Sequence, residues 1–261
     1  MLPFLASGAT PTRMRQAVET PRDADGLVDY NTGWRIWNDM ARYYPSAVHR
    51  RRLIVDWLRP LAPATVADVG CGTGILLDHL RTELPAVRQF TGVDYAHETC
   101  EENGRRLPWA RFLPLDLGKA HLDEKFDAVI CSEVLEHVVE GDAALANLVA
   151  MTGKYLLITV PTGTLFPLEA GFGHLRHYRL EELCRRIEGH GLVVRRSEAW
   201  GFPWMNAFKL ASNVRPKAVM EAFGGGDWSW PKKLVGAALT GLFYFNLHRW
   251  GPQLIVLAER P

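Results

Sequence analysis

Three glycines, each separated by one residue, stand at the end of an apolar segment that predicts a β-strand. The segment Val66-Ala67-Asp68-Val69 runs into Gly70-Cys71-Gly72-Thr73-Gly74, and a helical pattern begins at Ile75. A strand, a glycine turn and a helix start build the nucleotide site of open α/β sheets, because glycine lets the backbone approach the ligand. The dinucleotide fingerprint G-x-G-x-x-G would need glycine where Ile75 stands. The run therefore predicts a nucleoside site with no place for a pyrophosphate.

Polar residues also follow the next predicted strands. Asp94 ends the second strand, Asp116 closes the third, and Ser132-Glu133 follows the fourth. The carboxyl ends of parallel strands form the ligand crevice of such sheets, and a carboxylate at Asp94 can accept hydrogen bonds from both hydroxyls of a ribose. A surface turn for Asp94 and helix caps for Asp116 and Glu133 are the structural alternatives.

Taken together, these motifs closely resemble the class I S-adenosylmethionine-dependent methyltransferases. The stretch Glu133-Val134-Leu135-Glu136-His137 is similar to the branch that contains the ubiquinone-biosynthesis O-methyltransferases and their small-molecule relatives. The resemblance covers roughly residues 60–200, with four motifs in order at the ends of four successive strands. It implies S-adenosylmethionine as cofactor and S-adenosylhomocysteine as product.

The resemblance also implies roles for individual residues. Asp68 would shape the glycine loop and contact the methionine amino group, although a purely structural role stays open. Asp116 would bind the adenine amino group, and the Leu117 N–H a ring nitrogen. The residues expected around the cofactor are Asp68, Gly70, Cys71, Gly72, Gly74, Asp94, Tyr95, Asp116, Leu117, Ser132 and Glu133.

Methyl transfer is an in-line displacement on a sulfonium, so the protein supplies positioning and, where needed, a base. His174 and His177 lie after the fifth strand, in a His-x-Arg-x-Tyr-like segment similar to those of the resembling family. His137 is expected one helical turn beyond Glu133. These histidines are the predicted catalytic residues, with a structural role in tying the loop to the sheet as the alternative. No metal site is predicted.

Near-continuous apolar strands alternate with helical segments along residues 61–201, which predicts a parallel sheet covered on both faces. We expect a doubly wound, mostly parallel, seven-stranded α/β fold with an antiparallel last strand. The predicted division is an N-terminal arm and cap helices (1–60), a cofactor-binding core (61–201), a helical insertion (202–250) and the last core strand (251–261). Ser46 is expected to cap the second N-terminal helix.

The insertion is rich in Phe, Trp and Met, which predicts an apolar or amphipathic acceptor. A cap core, a homodimer interface and a peripheral membrane contact are the alternatives. Its longest uncharged run, 234–247, is too short to span a bilayer, so stable membrane insertion is not expected.

Composition narrows the possible partners. The formal net charge of +1 gives no reason to expect nucleic acid or anionic lipid, and the run Arg50-Arg51-Arg52 is interpreted as a solvated helix face. The four cysteines form no C-x-x-C pair, and residues 1–10 do not form a convincing signal peptide. Both observations favour a cytoplasmic protein with reduced thiols.

The predicted function is methyl transfer to a hydroxyl oxygen of a small molecule. The alternatives are N-methylation of a small amine and non-catalytic S-adenosylmethionine binding. A short-chain oxidoreductase is disfavoured because no Tyr-x-x-x-Lys motif occurs. Nucleobase methyltransferases usually carry Asn/Asp-Pro-Pro-Tyr/Phe where this chain has Cys131-Ser132-Glu133-Val134.

Overall fold

The computed structural model describes residues 20–22 and 28–261, so the predicted N-terminal arm lies largely outside the described residues. Within them, the strands are β1 Thr65–Val69, β2 Gln89–Asp94, β3 Arg111–Pro114, β4 Phe126–Ser132, β5 Thr152–Pro161, β6 Val193–Trp200 and β7 Gln253–Glu259. They form one sheet in the order β3-β2-β1-β4-β5-β7-β6. β7 runs antiparallel to β5 and β6, and the other neighbouring pairs are parallel. The predicted doubly wound, mostly parallel fold is confirmed.

Helices cover both faces and the carboxyl edge of this sheet. They are α1 Tyr30–Tyr43, α2 Pro45–Leu58, α3 Ile75–Glu83, α4 His97–Arg106, α5 Gly141–Met151, α6 Pro167–Gly171, α7 Leu180–Gly189, α8 Trp204–Val214, α9 Pro216–Phe223 and α10 Trp230–Phe243. None of the helices in the described residues is long and apolar enough to cross a membrane.

Two local expectations were wrong. Helix α2 begins at Pro45, and Ser46 lies inside it, because proline has no N–H to leave unsatisfied in a first helical turn. Glu133 and His137 do not share a helix, because Glu133 has a φ of 59° and turns the chain directly after β4. The residues that follow form turns, and α5 starts at Gly141.

The sheet is buried on both faces. Along β4, Val129 and Cys131 face the core under α5 and α7, whereas Ala128 and Ile130 face the core under α2 and α3. All four side chains are fully buried. This alternation fixes the strand register, and with it the positions of the polar residues at the carboxyl edge.

The insertion is held on the N-terminal helices. Helix α10 packs against α2 and α1. Asp39 of α1 accepts a hydrogen bond from the Trp228 N–H at 2.7 Å, and Gly226 donates its N–H to the Ile36 carbonyl at 3.0 Å. Helix α1 therefore touches both the glycine loop, through Trp34, and the insertion.

Candidate functional site

The glycine loop between β1 and α3 is fixed by the end of the neighbouring strand. The N–H groups of Gly70 and Cys71 both donate to the Val93 carbonyl, at 2.7 and 3.0 Å. Gly70 and Gly72 have φ values of 80° and 49°, in the left-handed region that favours glycine. A Cβ at Gly72 would lie 2.8 Å from the Trp34 indole, so this helix-to-loop contact also depends on glycine.

Asp94 lies where the sequence predicted a ribose-binding carboxylate, at the end of β2. One of its oxygens accepts from the Gly72 N–H at 2.7 Å and the other from the Ala96 N–H at 2.9 Å. Burial raises the pKa of this carboxyl above its ordinary value. Each oxygen keeps a further lone pair, so the residue can fasten the loop and still accept from a ligand.

A cavity of about 520 Å³, measured with its open mouth, lies between the glycine loop and the N-terminal helices. It is lined by Trp34, Ala41, Ala47, Arg50, Arg51, Asp68, Gly70, Cys71, Thr73, Ile75, Leu76 and Ser132. Four of the predicted cofactor residues, Asp68, Gly70, Cys71 and Ser132, therefore share one cavity.

Asp68 is the cavity residue that most clearly lacks a hydrogen-bond partner that a ligand could supply. Its side chain is 2% exposed, and burial, with a smaller contribution from Asp94, raises its pKa to about 8. No described group donates a hydrogen bond to its carboxylate. An ammonium group placed in the cavity would satisfy it, and the amino end of S-adenosylmethionine is such a group. The residues present therefore fit this cofactor.

The predicted adenine-binding residues are placed at the end of β3. Asp116 accepts from the Gly118 N–H at 3.0 Å and pairs with the exposed Lys119 at 2.9 Å. Leu117 is buried, and its carbonyl accepts from the Asn147 side chain at 2.8 Å. Tyr95, beside Asp94, is 67% exposed. Their contacts to a nucleoside stay predictions.

Glu133 connects three elements at the carboxyl edge. Its carboxylate lies 3.3 Å from Arg50 of α2 and 3.2 Å from the Gln253 amide of β7. Ser132, which lines the cofactor cavity, is hydrogen bonded to Thr159 of β5 at 2.9 Å. Arg50 thus borders the cavity on one side and holds Glu133 on the other.

The three predicted catalytic histidines come together next to this point. The rings of His137 and His174 are 4.6 Å apart between centroids, and His174 Nδ1 lies 3.3 Å from His177 Nε2. His177 Nδ1 lies 3.2 Å from the Gly163 carbonyl, and its Nε2 lies 3.8 Å from the carboxylate of Glu169. The structure therefore forms a relay of side chains from His174 to Glu169.

Burial governs the protonation of this group. It lowers the pKa of His137 to about 4 and that of His174 to about 2, so both imidazoles are neutral at pH 7. Burial also lowers the pKa of His177, an effect that Glu169 opposes. An isolated imidazole with such a low pKa is a weak base. The sequence did not predict this lowering of the pKa. Proton removal would depend on sharing the charge along the relay.

Glu136 was not among the predicted site residues, and the structure places it beside the histidines. It is fully buried, neither carboxylate oxygen has a hydrogen-bond partner, and burial with the nearby Glu133 raises its pKa well above the ordinary value. Glu136, His137 and His174 offer ligand atoms within 4.8 Å of one another, so this group could hold a metal ion. The sequence pattern predicted a helix directly after β4. The structure has a turn there, and this turn brings Glu136, His137 and His174 together.

The interpretation of the run Arg50-Arg51-Arg52 as a solvated helix face was wrong. Both residues line the cofactor cavity, and Arg51 donates to the carbonyls of Ala41 and Arg42 at 2.6 Å. Arg52 lies 4.0 Å from the centre of the Tyr244 ring. The signal that could have identified them is the strongly apolar remainder of α2, which requires that helix to be packed.

Comparisons with known proteins agree with this geometry. The ubiquinone biosynthesis O-methyltransferase of Aeromonas salmonicida is 25% identical over 232 residues, covering 71% of this chain and 88% of the relative. That of Thiobacillus denitrificans is 33% identical over 176 residues, covering 63% of this chain and 73% of the relative.

Two solved structures show the same fold at low sequence identity. Magnesium protoporphyrin IX methyltransferase from Synechocystis PCC 6803, solved with bound SAM, has a TM-score of 0.53 at 17% identity and covers 90% of this chain and 99% of its own. An N-methyltransferase from Bradyrhizobium japonicum WM9, in complex with S-adenosylhomocysteine, has a TM-score of 0.54 at 13% identity and covers 85% and 91%.

The family model described as a methyltransferase domain matches residues 36–197, which is more than half of the chain and includes the glycine loop, Asp94 and the histidine group. The chain belongs to this methyltransferase family and is an S-adenosylmethionine-dependent enzyme.

Proposed function

We propose that this methyltransferase transfers the methyl group to a hydroxyl oxygen of a small, apolar or amphipathic molecule. The observation that carries the proposal is the cluster of Glu133, Glu136, His137, His174 and His177, in which Glu136 is fully buried and which adjoins the cofactor cavity at Ser132 and Arg50. The O-methyltransferase relatives support the same chemistry. A cytoplasmic location stays a prediction.

The cavity residues would bind and orient the methyl donor. When bound, S-adenosylmethionine supplies an electrophilic methyl group on a sulfonium. The Asp68 carboxylate would hold the amino group, and Asp94 the ribose hydroxyls. Arg50, fixed by Glu133 at 3.3 Å, borders the cavity at the end where Ser132 lies and would attract the donor's carboxylate.

The histidine relay would take the proton of the acceptor. If His177 donates its Nδ1 proton to Gly163, its Nε2 accepts from His174 Nδ1, and this leaves His174 Nε2 as the free acceptor atom. Glu169, 3.8 Å from His177, would stabilise the positive charge that develops on the relay. A hydroxyl that approaches His174 would then lose its proton as it attacks the methyl carbon.

The acceptor's apolar part has a place beside this relay. A second cavity, of about 650 Å³ with its open mouth, is lined by Gly163, Phe166, Phe202, Lys209, Leu210 and Trp250 among others. Lys209 pairs with Glu169 at 2.8 Å, so the wall of this cavity contacts the end of the relay. This arrangement supports a molecule with one polar end and one apolar end.

A small amine is the second candidate acceptor, because a carboxylate as buried and unpartnered as Glu136 would also pair with an ammonium group. The test is transfer of an isotope-labelled methyl group from S-adenosylmethionine to two matched panels, one of phenols and alcohols with apolar chains and one of amines with the same chains. We expect labelled ethers. Labelled amines alone would replace the proposal with N-methylation, and no labelled product from either panel, with S-adenosylhomocysteine still bound, would refute it.

A further inference from the structure

The insertion, residues 202–250, exposes large apolar side chains to an unusual degree. Of the 16 exposed large hydrophobic residues among the described ones, 11 lie in this segment. Soluble monomers rarely expose a contiguous apolar patch of this kind unless the patch binds something. The match to the methyltransferase domain ends at residue 197, so the exposed surface lies outside the matched residues.

One side of α10 forms the centre of this surface. Leu234, Ala238 and Gly241 are exposed and follow one another at spacings of four and three residues, which places them on one helix face, and the exposed Phe245 follows two residues after the helix ends. The opposite side is buried against α2 and α8. Helix α10 has no acidic residue, and its two charged residues, Lys232 and Lys233, lie at its beginning.

Backbone contacts extend the surface to the start of α8. The Leu247 N–H donates to the Phe202 carbonyl at 2.7 Å, and the Phe202 N–H donates to the Trp250 carbonyl at 3.1 Å. Phe202 and Trp250 are 42% and 63% exposed, and Trp230 at the other end of α10 is 76% exposed. Exposed tryptophans beside an aliphatic face are typical of surfaces that lie at a membrane interface.

Charge distinguishes between the possible occupants of this surface. Residues 202–250 contain six Lys and Arg and two Asp and Glu, a formal charge of +4, so the remaining residues carry −3. Lys209 and Lys233 pair with Glu169 and Asp39. The other four basic residues form no ion pair within the described part of the chain: Arg215, Lys217, Lys232 and Arg249. The net charge of +1 for the whole chain gave no reason to expect anionic lipid, because it averages the positive insertion with the negative remainder of the chain.

We propose that residues 202–250 bind the surface of an anionic lipid bilayer, with the apolar face of α10 at the depth of the headgroups. Apolar contact and attraction of basic residues to anionic headgroups add together in this mode of binding. A second copy of the chain would instead bring the four basic residues without ion pairs on each surface towards one another, which is unfavourable.

The surface also continues into the cavity proposed for the acceptor. Phe202, Leu210 and Trp250 belong both to the exposed set and to the cavity wall that reaches Gly163. An amphipathic acceptor could therefore enter from the bilayer. This link to the acceptor rests on the proposed function, whereas the lipid binding does not.

The test is flotation of the full chain with vesicles of phosphatidylcholine alone or with one third phosphatidylglycerol. We expect binding mainly to the anionic vesicles. Leu234→Ser with Phe245→Ser should weaken it by about 10-fold or more, through lost apolar burial. Lys232→Gln with Arg249→Gln should weaken it by roughly 25-fold, at about 5-fold per charge. The control is Val193→Ser, which changes an exposed apolar residue at the far end of β6 and should bind like the wild type.

Unchanged S-adenosylhomocysteine affinity and unfolding temperature will show that the variants keep their fold. Failure of the wild-type chain to bind anionic vesicles would overturn the proposal. So would a dimer, detected by sedimentation velocity, that Leu234→Ser with Phe245→Ser dissociates, because a second copy would then cover the surface.

Discussion

The carboxyl of Asp68 gives a test of cofactor binding that depends on protons. Because its pKa is raised to about 8 by burial, the group is protonated in the free protein at pH 6 to 7. An ammonium group bound beside it would favour the charged carboxylate and lower its pKa again. Binding of the cofactor, or of S-adenosylhomocysteine, should therefore release a proton from Asp68.

The size of the effect follows from this pKa. Below about pH 8 and above the pKa of the complex, close to one proton is released for each ligand bound. The affinity should then rise about tenfold from pH 6 to pH 7. The ligand's own α-amino group has an ordinary pKa of about 7.7 to 8.0, so it stays largely protonated in this window. Asp68→Asn removes the titrating group and should make the affinity independent of pH.

The same shift has a defined sign for the stability of the free protein. The folded pKa of about 8 exceeds the unfolded value of 3.8, so the folded state binds the proton more tightly. The Asp68 contribution to stability is therefore full below about pH 4 and is lost as the pH rises to about 8. Asp68→Asn should remove this loss.

Titration calorimetry with S-adenosylhomocysteine, in buffers of different ionisation enthalpy at pH 6.0, 6.5 and 7.0, measures both the affinity and the released protons. The control is Asp78→Asn, an exposed acid on α3, which should behave like the wild type. Wild-type binding with no proton release and no pH dependence would refute the placement of the ligand's amino group at Asp68.

Three further predictions concern the remaining site residues. Asp94→Ala should weaken S-adenosylhomocysteine binding by about 1–3 kcal/mol, because ribose hydrogen bonds to a charged group are lost; unchanged affinity in calorimetry would refute the ribose assignment. His174→Ala and His177→Ala should keep that affinity and slow methyl transfer by about 100-fold; full rates in both single variants would make the relay structural. Dialysis against EDTA should leave the transfer rate unchanged, because the proposed relay removes the proton with histidine side chains alone; a loss restored by Mg²⁺ or Zn²⁺ would assign Glu136 and its neighbours to a metal site.

Those features that depend on local spacing could be predicted from the sequence. The glycine run fixes a strand, a turn and a helix within a few residues, and Asp94 follows a strand whose ends are set by its own apolar pattern. The antiparallel last strand was predicted together with the family resemblance, whereas the strand order is a finding of the structure. The three histidines were predicted as candidates, and the structure places their rings together.

Features that depend on burial by distant segments could not be predicted in this way. Arg50 lies in a run of three arginines that resembles a solvated face, and only the packing of α2 over the carboxyl edge places it in the cavity. The left-handed turn at Glu133 is accompanied by contacts to distant strands, with its N–H donating to the Thr159 carbonyl at 2.9 Å and its carboxylate accepting from the Gln253 amide at 3.2 Å. The low pKa of His174 likewise results from its burial, which residue type alone does not reveal.

The relation between the cofactor cavity and the histidine relay is the centre of the proposed function, and a crystal structure with bound S-adenosylhomocysteine tests it most directly. We predict the amino group within hydrogen-bond distance of Asp68, the ribose hydroxyls at Asp94, and the sulfur facing Nε2 of His174. A ligand bound in this cavity with its sulfur directed away from His174, or a ligand bound elsewhere, would contradict the account.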